Sequence, residues 1–198
     1  MKNIYLIGAG GHCKSCIDVI ESTKIFNIAG LFDVKQNMGK KVSSYEIIGC
    51  DDDIKNFVKP ENEFLITLGQ IKSAELRLKT AELLLKLGAQ VATVISPRAY
   101  VAKTATVGSG TIVMHDALVN SHAQIGRHCI LNSKSLVEHD AIVENFCHVS
   151  TGAILNGNCH VKEKSFVGSL SVLQEGLVVP EGSILGAGRF HKKSEFNK

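Results

Sequence analysis

An α/β domain followed by a parallel β-helix is the fold class this 198-residue chain predicts, and three observations predict it. A branched aliphatic residue recurs at every sixth position from Ile95 to Leu185. A small side chain stands four residues after nearly every one of these aliphatics. Residues 1–92 read differently, alternating short apolar runs with amphipathic stretches.

The repeat carries the most information. Ile95, Val101, Val107, Val113, Val119, Ile125, Leu131, Val137, Val143, Val149, Leu155, Val161, Val167, Leu173, Val179 and Leu185 form an unbroken run of sixteen hexads. The residue four places on is Ala, Ser, Thr or Cys in fourteen of them, and only Leu177 and Arg189 depart. A period of six fits neither a helix nor a simple strand, so each hexad supplies one short flat face and one corner. Three faces close a coil of eighteen residues, with the aliphatic pointing inward and the small residue filling the tight space beside the corner. Stacked coils pair as parallel strands about 4.8 Å apart, which makes residues eighteen apart vertical neighbours. Cys129, Cys147 and Cys159 occupy small positions and need no reactive role.

In the first 92 residues, Asn3 to Ile7 reads as a strand, Gly8 to Gly11 as a turn and His12 to Ser22 as a helix. A second strand, Ile28 to Phe32, ends at Asp33, and a third, Phe64 to Leu68, is followed by Gly69. Ser73 to Leu87 reads as an amphipathic helix with Leu76, Leu83, Leu84 and Leu87 on its apolar face and Gly88 as its C-cap. This alternation predicts a small parallel, Rossmann-like α/β domain over residues 1–92, with the β-helix over 93–198. A glycine turn between a strand and a helix N-terminus favours an anion such as phosphate. Cys13 stands where the third glycine of a dinucleotide fingerprint would be, and Asp33 is placed to meet a ribose or base.

Composition excludes several classes. The formal net charge is +3 with no block of Lys and Arg, so neither nucleic acid nor an anionic membrane is an expected partner. No run approaches the roughly 18–20 apolar residues of a membrane span, and the start MKNIYLIGAGGH has too short an apolar run for a signal peptide. The expected compartment is the cytoplasm, where the six cysteines stay reduced.

GAGGH near the start, ISPRA at the join, and NSKSLVEHD and FCHVS within the hexads together resemble the bacterial nucleotide-sugar acyltransferases with a left-handed β-helix. These include PglD-like UDP-4-amino-sugar N-acetyltransferases, perosamine N-acetyltransferases and NeuD-like sialic acid O-acetyltransferases. The resemblance implies acetyl-CoA as cosubstrate, no metal, a UDP-linked amino sugar as acceptor, and a homotrimer with the thioester in a groove between prisms. It implies nucleotide-sugar contacts from Gly8, Gly10, Gly11, His12, Asp33 and Gly69. It also implies His139 as general base with Asp140 assisting, Gly157 as the backbone donor to the thioester carbonyl, His148 beside the acceptor amine and Asn132 as a substrate-binding polar residue of the active site. Gly186 and Gly188 would meet the adenine end of the cosubstrate, although the ending GAGRFHKKSEFNK lacks the Pro-containing tail common in relatives.

Coil arithmetic meets the resemblance at one point. Eighteen residues beyond His139 is Gly157, so a residue without a side chain is expected one coil above the histidine. Transfer of an acetyl group to an amine needs a base for the attacking nitrogen and a donor for the oxyanion, and this pair offers both. Eighteen residues before Asp140 is His122, a second candidate neighbour. Three other functions stay open on sequence: sialic acid O-acetylation, a metalloenzyme similar to the γ carbonic anhydrases, and a non-catalytic nucleotide-sugar-binding protein.

Overall fold

The computed structural model describes residues 1–196 and divides the chain into two compact units. The first takes residues 1–69 and 75–94, and the second takes residues 70–74 together with those from Ile95 onward.

The first unit is one sheet with helices. Strands β1 (Lys2–Ile7), β2 (Phe26–Phe32), β3 (Lys41–Val42), β4 (Tyr45–Gly49), β5 (Asn62–Ile66) and β6 (Gln90–Val91) lie in the order β3-β4-β2-β1-β5-β6. All neighbours are parallel except the β3–β4 hairpin. β1 is central because its apolar run is buried on both faces, Ile4 and Leu6 on one and Tyr5 and Ile7 on the other, and Phe32 and Phe64 on the strands beside it are fully buried. Helix α1 (Gly11–Thr23) packs Cys13, Cys16, Ile17, Val19 and Ile20 inward. Helix α2 (Glu75–Lys86) differs from its sequence reading. It buries Arg77, Thr80, Ala81 and Leu84, while Leu76 is 68% exposed. The buried face has turned to admit Arg77, whose guanidinium Nη1 donates to the carbonyls of Ile66 (3.1 Å) and Leu68 (2.7 Å) at the end of β5. A charge is tolerated there because it is spent on backbone acceptors.

In the second unit the hexads form three sheets of six, six and five two-residue strands. Pairing is parallel at a spacing of eighteen: Ile130 with His148 on the first sheet, Leu136 with Ile154 on the second, Ile142 with His160 on the third. From Val113 to Leu185 the recurring aliphatics are buried and, with the small residues, form one continuous core. Each contributes about 1.5–3 kcal/mol through its burial. Ile95, Val101 and Val107 are only partly covered, their strands lying at the ends of the three sheets with a paired neighbour on one side. Leu177, one of the two departures from the small-residue rule, is itself 1% exposed and fills the core near the last coils.

The corners explain the small residues. From Gly110 to Gly188 one residue at each turn takes a left-handed conformation, including Asp116, His122, His128, Lys134, Asp140, Phe146, Asn158, Lys164 and Leu170 with φ between 55° and 61°. The next residue dives into the core. Cys129, Cys147 and Cys159 do so with Sγ donating to the carbonyls of Glu144 (3.0 Å), Lys162 (3.1 Å) and Gln174 (3.1 Å). All six cysteines are free thiols. Burial pushes the Cys13 thiol up to about 11 and raises Cys16, Cys147 and Cys159 as well, so these thiols are structural.

Candidate active site

His139 stands on the edge between the second and third sheets, in the last exposed position before Asp140 turns the chain. Because Asp140 adopts φ 60°, its carboxylate comes round beside the preceding ring, and His139 Nδ1 lies 2.8 Å from Asp140 Oδ2. The carboxylate accepts the Nδ1 proton, which leaves the lone pair of the uncharged ring on Nε2. Adjacent residues of a regular strand point to opposite faces; the left-handed corner is what lets these two meet. Glu138 Oε2 accepts from the His139 backbone N–H (3.2 Å) and from Asn120 Nδ2 (2.8 Å). The Asp140 hydrogen bond holds the His139 imidazole above its ordinary titration range, with the charges of Asp140, Glu138 and Glu175 adding to it.

Gly157 stacks on His139. A Cβ built on Gly157 would fall 2.7 Å from His139 Cε1 and 2.8 Å from Nε2, closer than real side chains approach. The ring therefore lies against the glycine backbone, with Nε2 on that side. The coils are tied by Asn158 N–H to the His139 carbonyl (3.1 Å). His122, in the coil below, has its backbone N–H on Thr104 Oγ1 (3.1 Å).

Asn132 and His148 come together elsewhere on the prism. His148 belongs to the first sheet and Asn132 follows the paired strand Ile130–Leu131 of the neighbouring coil, with Asn132 Nδ2 3.3 Å from His148 Nε2. The first sheet is opposite the His139 edge, so the aliphatic core separates the two groups within one chain. Gly186 stands in the Asn132 column three coils further on, and Gly188 (φ 65°) forms the corner after it with its N–H on the Ser169 carbonyl (2.8 Å). The sequence-predicted residues of the β-helix thus form two groups: His139, Asp140 and Gly157 on one edge, and Asn132, His148, Gly186 and Gly188 around another side.

The remaining predicted residues gather at the C-terminal ends of β1, β2 and β5. Gly8 has φ 101° and is pressed against Leu68, where a Cβ would meet Leu68 Cδ2 at 2.5 Å. Around Gly10 and Gly11 there is open space for an added Cβ, and no side chain caps α1 at Gly10. His12 lies against Gly69, whose Cβ would be 3.6 Å from that of His12. Asp33 braces the turn: Oδ2 accepts from Ala9 N–H (2.6 Å), and Oδ1 accepts from Val34 N–H (2.6 Å) and Asn37 Nδ2 (3.3 Å). Sequence reading missed Gln70, which is 2% exposed and makes its contacts with the β-helix. No local signal marks it, because its partners lie about 76 and 78 residues away.

Among the described residues no group of three or more His, Cys, Asp or Glu is arranged to hold a metal ion, and no helix is long and apolar enough to cross a membrane.

Residues 3–82 match the PglD N-terminal domain family. Over the whole chain, the acetyltransferase domain of PglB from Neisseria gonorrhoeae FA1090 is 26% identical and superposes with a TM-score of 0.89, covering 96% of this chain and 91% of that one. The same domain has been solved in complex with acetyl coenzyme A. WeeI from Acinetobacter baumannii AYE shares the fold at 22% identity and a TM-score of 0.82, over 95% of this chain and 90% of its own. PerB from Caulobacter crescentus, solved with CoA and GDP-perosamine, shares it at 20% identity and a TM-score of 0.65, over 97% and 94%. A search of curated proteins by sequence returned no match. Residues 3–82 are thus a PglD N-terminal domain, and the chain as a whole shares the fold of the PglB acetyltransferase domain, an α/β unit followed by a β-helix of hexads.

Proposed function

We propose that this chain transfers an acetyl group from acetyl-CoA to the 4-amino group of a UDP-linked 4-amino-4,6-dideoxy sugar, with His139 as general base. The observation that carries the reading is the His139 ring, bound to Asp140 through Nδ1 and lying with Nε2 against Gly157. The amine nitrogen attacks the thioester carbonyl carbon while Nε2 takes its proton. The Gly157 N–H donates to the developing oxyanion, and Asp140 stabilises the imidazolium. Collapse of the tetrahedral intermediate breaks the carbon–sulfur bond, and the departing thiolate recovers the proton from His139.

The acceptor is assigned to three supports. The glycine turn at the start of α1 offers backbone N–H groups to a diphosphate, with Gly8, Gly10, Gly11, His12 and Gly69 around it and Asp33 bracing it. Asn132 and His148 take the amino-sugar end. The bound ligand of PerB shows that a relative in fold accepts a nucleotide-linked amino sugar. Since one chain keeps His139 and His148 on different sides of its core, the reading requires an oligomer in which one prism presents its His139 edge to the Asn132–His148 face of the next, and we assign a homotrimer. The groove between them holds acetyl-CoA, with Gly186 and Gly188 toward its adenine end.

The test is release of CoA thiol with a panel of acceptors: UDP- and GDP-linked 4-amino sugars, CMP-sialic acid and free sialic acid. Thiol release with a UDP-4-amino sugar is expected. Release only with the GDP sugar would correct the nucleotide, and release only with sialic acid would replace N- by O-acetylation. Sedimentation of the purified protein is expected to give three chains per particle, and a monomer that retains full turnover would remove the shared site.

A further inference from the structure

His148 is held by a contact that neither the hexads nor the comparisons announce. Its Nδ1 lies 2.6 Å from the backbone carbonyl oxygen of Gln70, seventy-eight residues earlier, and the ring is 6% exposed. A carbonyl only accepts, so the proton on this side belongs to Nδ1. Asn132 Nδ2 is 3.3 Å from Nε2, and an amide NH₂ only donates, so Nε2 presents a lone pair. At 3.3 Å this bond is beyond the usual 2.7–3.2 Å range for N–H donors and is weak enough to yield to a better one.

Gln70 is itself clamped. Its Nε2 donates to the Phe146 carbonyl at 2.7 Å and lies 3.5 Å from that of Lys164. The opposite amide orientation would set Oε1 against these two carbonyls, and the orientation present leaves Oε1 buried without a hydrogen-bond partner. Satisfying the two carbonyls has taken precedence over satisfying Oε1. The Phe146 carbonyl lies two residues from His148, so one side chain fixes the backbone on which both the Gln70 carbonyl and the His148 ring depend.

We propose that Gln70 is a positioning residue: its side-chain clamp holds its own carbonyl against His148 Nδ1, so that His148 Nε2 is presented as a fixed acceptor for an N–H of the amine substrate. The inference rests on the assignment of His148 to the acceptor end of the site. It adds what sets the ring's tautomer, and why a residue from outside the hexads lies folded onto the first sheet.

The experiment is nitrogen-15 NMR of histidine-labelled full-length protein, with His148 assigned through His148→Gln, alongside steady-state kinetics of wild type and Gln70→Met. Methionine keeps the volume and removes the donor to Phe146. Wild type is expected to show His148 with its proton on Nδ1, and Gln70→Met to populate the Nε2–H form. Turnover of the amino sugar is expected to fall about 10- to 100-fold in the variant, as for a misplaced substrate-orienting group, with KM for acetyl-CoA unchanged. A thermal melt and Gln70→Ala, which removes the donor without adding a thioether, guard against a folding defect. An Nε2–H tautomer in wild type, or Nδ1–H retained in both variants, overturns the proposal. A tautomer switch without loss of turnover overturns its functional half. Absence of thiol release by wild type with every amino sugar fails the acetyltransferase assignment instead, and the NMR result still decides whether Gln70 sets the tautomer.

Discussion

His139 and His148 sit nine residues apart in successive hexads and have opposite surroundings. His139 is half exposed at a corner and gives its Nδ1 proton to a carboxylate. His148 is buried on a flat face and gives its Nδ1 proton to a backbone carbonyl. Both are left with Nε2 as the lone-pair nitrogen, so orientation alone does not separate them. The partner's charge does. A carboxylate stabilises the imidazolium and so favours a ring that takes a proton and holds it, whereas a neutral carbonyl fixes direction without supplying compensating charge. One hexad pattern thus presents a carboxylate-bound imidazole at a corner and a carbonyl-bound imidazole on a face.

The comparison is broken most severely by removing the corner ring. His139→Ala is expected to lower kcat about 10²- to 10⁴-fold, the usual contribution of a positioned base, while KM for acetyl-CoA changes little. Equal turnover in the thiol-release assay would take the base away from this edge. Gly157→Ala comes next. The added methyl would sit within 2.8 Å of the His139 ring, so the ring must swing off the glycine, with an expected loss of about 10²-fold. A crystal structure of this variant is expected to show His139 displaced while the coils keep their register.

Asp140→Asn sharpens the role of charge. Because the carboxylate raises the His139 titration, the uncharged base gains population only as pH rises through a value above the ordinary 6.5. Removing the charge is expected to move the rising limb of the pH–kcat/KM profile to lower pH and to reduce the plateau about 10-fold. An unmoved limb would mean that His139 is not the group titrating. The same raised titration means that the His139–Asp140 pair contributes its folding stability below the unfolded histidine's value and loses it as pH rises through the folded one. Cys159→Ala should have the smallest effect, since alanine already fills this position in other hexads. Stability is expected to fall by about 1 kcal/mol or less with turnover unchanged, read by denaturant unfolding and the thiol assay.

The two units also differ in how far the chain announces them. The β-helix was legible because its period recurs sixteen times, and each occurrence corroborates the others. Gly157 over His139 followed from the same arithmetic. The side on which each residue stands did not, since corner and face are distinguished by three-dimensional closure; that Asn132 and His148 lie across the core from His139 is visible only in the fold. In the α/β unit each element occurs once and depends on tertiary partners. Arg77 takes a buried place on α2 that periodicity would give to a leucine, because two strand-end carbonyls await it. The β3–β4 hairpin turns at Ser43 with φ 52°, a conformation that hairpins usually give to Gly, Asn or Asp. Gln70 was illegible for a similar reason, its meaning residing entirely in distant carbonyls.

The left-handed corners have a wider consequence. A non-glycine residue in that conformation costs roughly 1–2 kcal/mol, yet Asp, His, Lys, Phe, Asn and Leu all occupy it here. Glycine takes five of these corners, at 110, 152, 176, 182 and 188, but the stacked coils hold the same conformation with a wide range of other side chains. Corner chemistry is portable: a His–Asp pair set into another edge of the same prism would inherit the same geometry, and new activities can arise by rewriting corners while the interior is left alone.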